Sequence, residues 1–353
     1  MDDSIHTFEG HAGGVYAVAW SPTQSDLVAT GGGDDKAFIW RVGQEAFEET
    51  GGAFLELSGH SDTVSRLAFS NDGSTLATGG MDGRVKVWEV STGRCLQTLE
   101  GPGEAVEWLA WHPKGNVVLA GAADFTAWMW LAQTGVCMQV GEPSPGLQSG
   151  QCVAQQAVAA GWQKLRCTPM LQVFTGHSGS VTCGGFTPNG KQVVTGGGEG
   201  DATLRVWDPK SGECVVTVTG HPFHTAGLTS LDIHPDSAVV ATGSEDGTAK
   251  VVNIQHGRVV STLAGHDEDT SVEAVAFSRR LPIVMTAGMD GKLLLWDVTT
   301  AQTRAACEHP AVSALRRVCA PGMALICGVR RGPVAVVFTL DWLPPWCRAS
   351  PVY

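Results

Sequence analysis

The chain has 353 residues, a formal net charge of −12, 43% hydrophobic and only 16% charged residues, 45 glycines and 10 cysteines. The acidic balance disfavours nucleic acid as a main ligand, because phosphate binding needs a basic face. No run of 18 apolar residues suggests a membrane span, and the start Met1-Asp2-Asp3-Ser4 lacks the positive region of a secretory leader. The cysteines are scattered without a Cys-x-x-Cys pair, which reads as free thiols in a reducing compartment. The expected address is the cytoplasm, with the nucleus as a second, and no metal or other cofactor is expected.

Along the chain, Gly-His pairs recur at Gly10-His11, Gly59-His60, Gly176-His177, Gly220-His221 and Gly265-His266. All but one of the separations lie near a period of roughly 40–45 residues, the mark of a repeat architecture. The long gap between His60 and His177 must hold one hidden repeat and an insertion. Each repeat also carries an aspartate six residues before an aromatic position. These pairs are Asp34 and Trp40, Asp82 and Trp88, Asp124 and Trp130, Asp201 and Trp207, and Asp290 and Trp296. Asp246 stands in the same frame with Val252 in place of the tryptophan. A threonine precedes the aspartate at Thr30, Thr78, Thr195, Thr242 and Thr286, whereas the third repeat has Ala120 and, for its histidine, Pro102. That hidden repeat spans about Gly101 to Cys137. Residues 141–172, rich in proline and glutamine and free of these landmarks, read as a loop on the rim between repeats three and four. A seventh repeat is degenerate: His309 is in register, but Arg331 stands where the aspartate belongs and Val337 where the tryptophan belongs.

Segments such as Leu76-Ala-Thr-Gly-Gly80 and Val85-Lys-Val-Trp88, bounded by Asp-Gly corners, carry the strand and hairpin signature. Their near-continuous apolar character suits strands covered on both faces.

The His, Thr, Asp and Trp set resembles the hydrogen-bonded tetrad of the WD40 family. The resemblance implies an all-β propeller of four-stranded blades, with a relay from Trp to Thr to His to Asp. The tetrad residues are then His11, Thr30, Asp34 and Trp40; His60, Thr78, Asp82 and Trp88; Asp124 and Trp130; His177, Thr195, Asp201 and Trp207; His221, Thr242 and Asp246; and His266, Thr286, Asp290 and Trp296. Six blades are clear. The strand Ser4–Phe8 has no blade before it, so it is expected to complete the last blade and close the ring. The propeller covers residues 1–338 and an irregular tail covers 339–353.

Finer details resemble the angio-associated migratory cell protein family: Gly31-Gly-Gly-Asp-Asp-Lys-Ala-Phe-Ile-Trp40, Glu107-Trp-Leu-Ala-Trp-His-Pro113, Trp128-Met-Trp130 and the missing tryptophan at Val252. That family's propeller is thought to have eight blades. Its fungal member escorts a large-subunit ribosomal protein on an acidic propeller face, and animal members are linked to cell migration. The resemblance therefore implies a monomeric, non-catalytic platform for a protein partner with a Lys/Arg-rich segment. Candidate partner-binding residues in loops at the tetrad end are Asp62, Glu104, Glu107, Glu245, Asp267, Glu268, Asp269 and Glu273. The alternatives are a signalling or cytoskeletal scaffold and a ubiquitin-ligase substrate receptor. The last is disfavoured because Trp207-Asp-Pro-Lys210 and Trp296-Asp-Val-Thr299 lack the arginine such receptors carry. No phosphate loop, nucleophile elbow or metal motif points to an enzyme.

Overall fold

The computed structural model describes residues 8–42, 54–132, 170–235, 238–267, 269–278, 281–308, 324–328 and 335–339. Every regular element among them is a strand, so there is no helix that could cross a membrane. Six four-stranded antiparallel sheets follow one another along the chain.

Blade one is β1 (Val15–Trp20), β2 (Leu27–Gly32), β3 (Lys36–Arg41) and β4 (Phe54–Ser58). Blade two is β5 (Val64–Phe69), β6 (Thr75–Gly80), β7 (Val85–Glu89) and β8 (Cys95–Leu99). Blade three is β9 (Val106–Trp111), β10 (Val117–Ala122), β11 (Thr126–Leu131) and β12 (Met170–Thr175). Blade four is β13 (Val181–Phe186), β14 (Val193–Gly197), β15 (Leu204–Trp207) and β16 (Cys214–Val218). Blade five is β17 (Leu228–Ile233), β18 (Val239–Ser244), β19 (Thr248–Asn253) and β20 (Arg258–Ala264). Blade six is β21 (Val272–Phe277), β22 (Ile283–Gly288), β23 (Lys292–Asp297) and β24 (Thr303–Glu308). A two-stranded sheet, β25 (Ala324–Gly328) and β26 (Ala335–Thr339), lies beside β1. It is what the described residues hold of the degenerate seventh repeat. The closing strand expected at Ser4–Phe8 falls outside them except for Phe8, whose buried ring stacks on Trp40 at 5.1 Å.

The second strand of each blade is the most buried: β2, β6 and β14 are buried at every residue, and β10, β18 and β22 at all but the first. The outer strands are more exposed, and β4 alternates, with exposed Phe54, Glu56 and Ser58 against buried Leu55 and Leu57. This gradient follows from the architecture: an inner strand is covered on both faces by neighbouring blades, an outer one is half solvated. The innermost strands β1, β5, β9, β13, β17 and β21 succeed one another as neighbours, so they line the middle of the ring. Apolar side chains from adjacent blades fill the space between. One such cluster joins Leu76 and Trp88 of blade two to Leu27 and Ile39 of blade one.

Four of the six blades are tied internally by a complete buried relay. In blade two the Trp88 indole N–H donates to the Thr78 hydroxyl (2.8 Å), which faces His60 Nε2 (2.7 Å), while His60 Nδ1 meets the Asp82 carboxylate (3.0 Å). An indole can only donate and a carboxylate can only accept, so the direction of every bond and the histidine tautomer follow. The same arrangement joins Trp40, Thr30, His11 and Asp34, and Trp296, Thr286, His266 and Asp290. In blade four Trp207, Thr195, His177 and Asp201 repeat it, with Thr203 a further donor to Asp201. Asp82 also accepts backbone N–H groups on both sides, from Ser61 and Arg84, while Asp201 accepts the Ser178 and Thr203 hydroxyls there. Burial alone would raise their pKa, but these donors outweigh it. Asp201 is held down to about 2, and Asp34, Asp82, Asp246 and Asp290 also lie below the usual range.

Two sequence expectations are corrected. The histidine of blade five is His224, not His221. His224 meets Thr242 and Asp246, both at 2.9 Å, whereas His221 is exposed. The Gly220-His221 pair belongs to a turn closed by the Phe223 N–H on the Gly220 carbonyl. His224 keeps the spacing to Thr242 that His60 keeps to Thr78. The second correction concerns the insertion. It lies inside blade three, between β11 and β12, and not between blades, and it ends before 172, because Met170 already pairs with Trp130. Blade three also departs where the sequence did: Trp130 donates to the Glu100 carbonyl (3.3 Å), and Asp124 holds Gly103 N–H (2.8 Å) and Thr126 without a histidine.

Asp82→Ala should destabilise the protein by about 1–3 kcal/mol, since His60 and two backbone donors lose a buried acceptor; urea unfolding measures it, and an unchanged midpoint would contradict this account. A second expectation concerns blade three. In blades two and four a cysteine opens the outer strand opposite the tryptophan, Cys95 to Trp88 and Cys214 to Trp207. Deleting residues 138–170 joins Cys137 to Leu171, giving Thr-Gly-Val-Cys-Leu-Gln where blade two reads Thr92-Gly-Arg-Cys-Leu-Gln97. The shortened chain should retain its β circular dichroism, with a thermal midpoint no lower than the parent's, because a shorter connection costs less closure entropy. Loss of cooperative unfolding would refute it.

Candidate functional site

The end of the ring where the tetrad turns lie is built by two repeating devices. The first is a β-bulge near the start of each inner strand. The extra residue is Tyr16, Ser65, Glu107, Thr182, Thr229 and Glu273 in blades one to six. A bulge frees one side chain from the ladder and re-aims it. Where that side chain is a hydroxyl it donates to the next blade: Ser65 to the Val106 carbonyl (2.7 Å), Thr182 to that of Leu228 and Thr229 to that of Val272. Tyr16, Glu107 and Glu273 occupy the same position with longer side chains.

The second device is the turn between the second and third strands. The N–H groups of Gly33, Met81, Ala123, Gly198, Glu245 and Met289 donate to the carbonyls of Gly14, Thr63, Ala105, Ser180, Gly227 and Ser271, just before each inner strand, at 2.7–3.0 Å. The turns therefore stand beside the bulges and share their surface.

This geometry sorts the candidate residues. Glu245 in the turn of blade five and Glu273 in the bulge of blade six come together, and the structure adds Glu199 from the turn of blade four. Burial, then the charges of Glu199 and Glu273, push the Glu245 carboxyl above its ordinary range. Glu199 and Glu245 are exposed, and Glu273 is half-buried and accepts the Ser271 hydroxyl. Glu107 in blade three is half-buried, with the Arg66 guanidinium 3.5 Å from its carboxylate and donating to its carbonyl. Glu104 is exposed in the loop before β9. Asp62 is exposed and accepts the Thr63 N–H (2.6 Å).

The run at 267–269 is not a free block of like charges. Asp267 is ion-paired with Lys292 across the blade, its N–H donates to Asp290 (3.0 Å) and its carbonyl accepts the Thr270 hydroxyl (2.7 Å). Asp269 is exposed in the left-handed region (φ 65°), and Glu268 lies outside the described residues. Glu199 was legible only as the counterpart of Glu245, hidden by the two residues inserted before Asp201.

Comparison with known proteins agrees with this architecture. The family "WD domain, G-beta repeat" matches residues 2–41, 53–89, 93–130, 168–208, 212–253 and 257–297. The chain is 33% identical over 321 residues to the human angio-associated migratory cell protein and 32% to the dog protein; each alignment covers 87% of this chain and 64% of the relative. The chain thus spans just under two thirds of those relatives. It is 39% identical over 319 residues to an uncharacterised WD repeat-containing protein of Schizosaccharomyces pombe, covering 88% of this chain and 69% of the relative.

The crowding of Glu245 has a measurable consequence. A carboxyl whose folded pKa is raised binds its proton more tightly in the folded state, so its charged form opposes folding once pH exceeds the unfolded value. Glu199→Gln removes one of the repelling charges. At low ionic strength its thermal midpoint should exceed the parent's at neutral pH, and the difference should vanish as pH falls through the carboxylate range and grow smaller with salt. A variant no more stable than the parent at pH 7 would show that the three groups do not interact.

Proposed function

The chain belongs to the WD40 family, whose propellers are protein-interaction scaffolds, and from that membership we propose that it is a non-catalytic platform whose tetrad-end face holds a Lys/Arg-rich segment of a protein partner. The observation that carries this reading is the convergence of Glu199, Glu245 and Glu273 from three successive blades. The Glu245 carboxylate, crowded by the charges of Glu199 and Glu273, gains when a cation arrives beside it. Glu104 extends the acidic surface toward blade three, and the net charge of −12 adds long-range attraction for a basic segment. The partner in this reading is a basic ribosomal protein escorted before assembly, the protein acts as a monomer, and the place is the cytoplasm or nucleus. The similarity to angio-associated migratory cell protein supports a second reading, a scaffold in cell migration that needs no basic client.

Changing Glu199, Glu245 and Glu273 together to lysine should abolish binding of a Lys/Arg-rich peptide in calorimetric titration while leaving the circular dichroism unchanged. The parent's affinity should fall with added salt. Reversal of Glu89 and Glu213, which lie by the turns that lead into the outer strands of blades two and four, should change little. If the triple variant binds as tightly as the parent, or neither binds, the acidic face is a solvated rim and the scaffold reading takes its place.

A further inference from the structure

The turn between the second and third strands requires a left-handed residue just after its aspartate. In the six blades that residue is Asp35 (φ 63°), Gly83 (72°), Phe125 (70°), Ala202 (49°), Gly247 (76°) and Gly291 (79°). Glycine takes this conformation freely, and a short polar residue tolerates it. A bulky side chain there is an outlier whose cost must be offset elsewhere. Phe125 does not offset it by burial. Its side chain is 48% exposed, it belongs to none of the core clusters, and it stacks on no other ring among the described residues. The fold therefore keeps a phenylalanine where glycine would be more stable and where the ring faces water.

Its surroundings say what it could meet. Tyr16, Met81 and Met289, also exposed large apolar residues, stand in the bulge or turn positions of the same end of the ring, whereas Val215 and Val260 lie on outer strands. In blade two the corresponding residue, Gly83, lies against the Pro102 and Glu104 carbonyls of the next blade's entry loop, and Gly247 lies likewise against Thr270. By the same repeat Phe125 lies toward the entry loop of blade four, His177-Ser178-Gly179-Ser180, whose Ser180 carbonyl receives the Gly198 N–H beside Glu199. Ser178, Gly179 and Ser180 of that loop are small, and the loop leads to the turn that carries Glu199.

We propose that Phe125 is an apolar anchor for the partner's segment, which carries an apolar side chain next to its Lys/Arg residues. Charge alone attracts any basic chain; an apolar contact beside the carboxylates selects one register, because only a segment with the matching order of apolar and basic residues satisfies both. This rests on the basic-segment reading above and adds to it a demand on the partner's sequence.

Phe125→Gly separates a structural from a binding role, since glycine relieves the backbone and removes the ring. The full-length parent and variant are titrated with two peptides, one of alternating lysine and glycine and one in which a central glycine is leucine. The variant should have a thermal midpoint at or above the parent's. The parent should bind the leucine peptide roughly tenfold more tightly than the lysine–glycine peptide, the gain expected for burying one aliphatic side chain, and the variant should lose that gain while binding the lysine–glycine peptide as before. A lower thermal midpoint in the variant makes Phe125 structural and overturns the anchor, as does equal binding of both peptides by the parent or an undiminished gain in the variant. No binding of either peptide to the parent overturns the basic-segment reading itself, and the anchor with it.

Discussion

One directional chain of hydrogen bonds recurs through the ring and everything else is arranged around it. Tryptophan on the third strand, threonine on the second, histidine in the entry loop and aspartate in the turn are linked in an order that allows a single tautomer and a single direction. Because the chain is buried, leaving any member unmatched is costly, so the four segments that contribute to it are fixed relative to one another. The entry loop is thereby pinned to the turn, which stiffens the tetrad-end surface.

The blades that break the rule show what it can spare. Blade five has no indole, and Val252 is fully buried in its place; the Thr242 hydroxyl turns to the Lys250 carbonyl (3.3 Å) and still meets His224. Blade three has neither the relay histidine nor the relay threonine. It compensates with aromatic mass: Trp108, Trp111 and Trp130 are buried, Trp108 filling the space over Gly121, where a side chain would collide with it. Trp111 donates across to the Ala68 carbonyl of blade two (2.8 Å). Packing between blades thus replaces the relay within one.

The same end of the ring that the relays stiffen is where the sequence accepts local strain and charge repulsion. Glu245 is crowded by two other carboxylates, and Phe125 holds a backbone conformation suited to glycine. A rigid scaffold can carry such features because the surrounding bonds over-determine the turn. Strain and like-charge crowding brought together at this end of the ring fit a surface shaped for a partner.

The sequence by itself determined the repeat, the strands and the members of most relays. These are local: a blade's strands are neighbours in the chain, so their order and spacing are written as a period. It misled where a motif was read in place of a spacing. Gly220-His221 looks like the other pairs, yet three further residues bring His224 to the relay. It also drew the insertion too long at residue 172, since composition alone does not show that Met170 pairs with Trp130. Tertiary structure alone decided the electrostatics of the candidate face. Asp267, Glu268 and Asp269 read as a dense acidic run, but Lys292 folds back onto Asp267. Glu199, Glu245 and Glu273 are far apart in the chain and act on one another only because three blades stand side by side. Charge interaction depends on distance in space, and the ring, not the repeat, sets that distance.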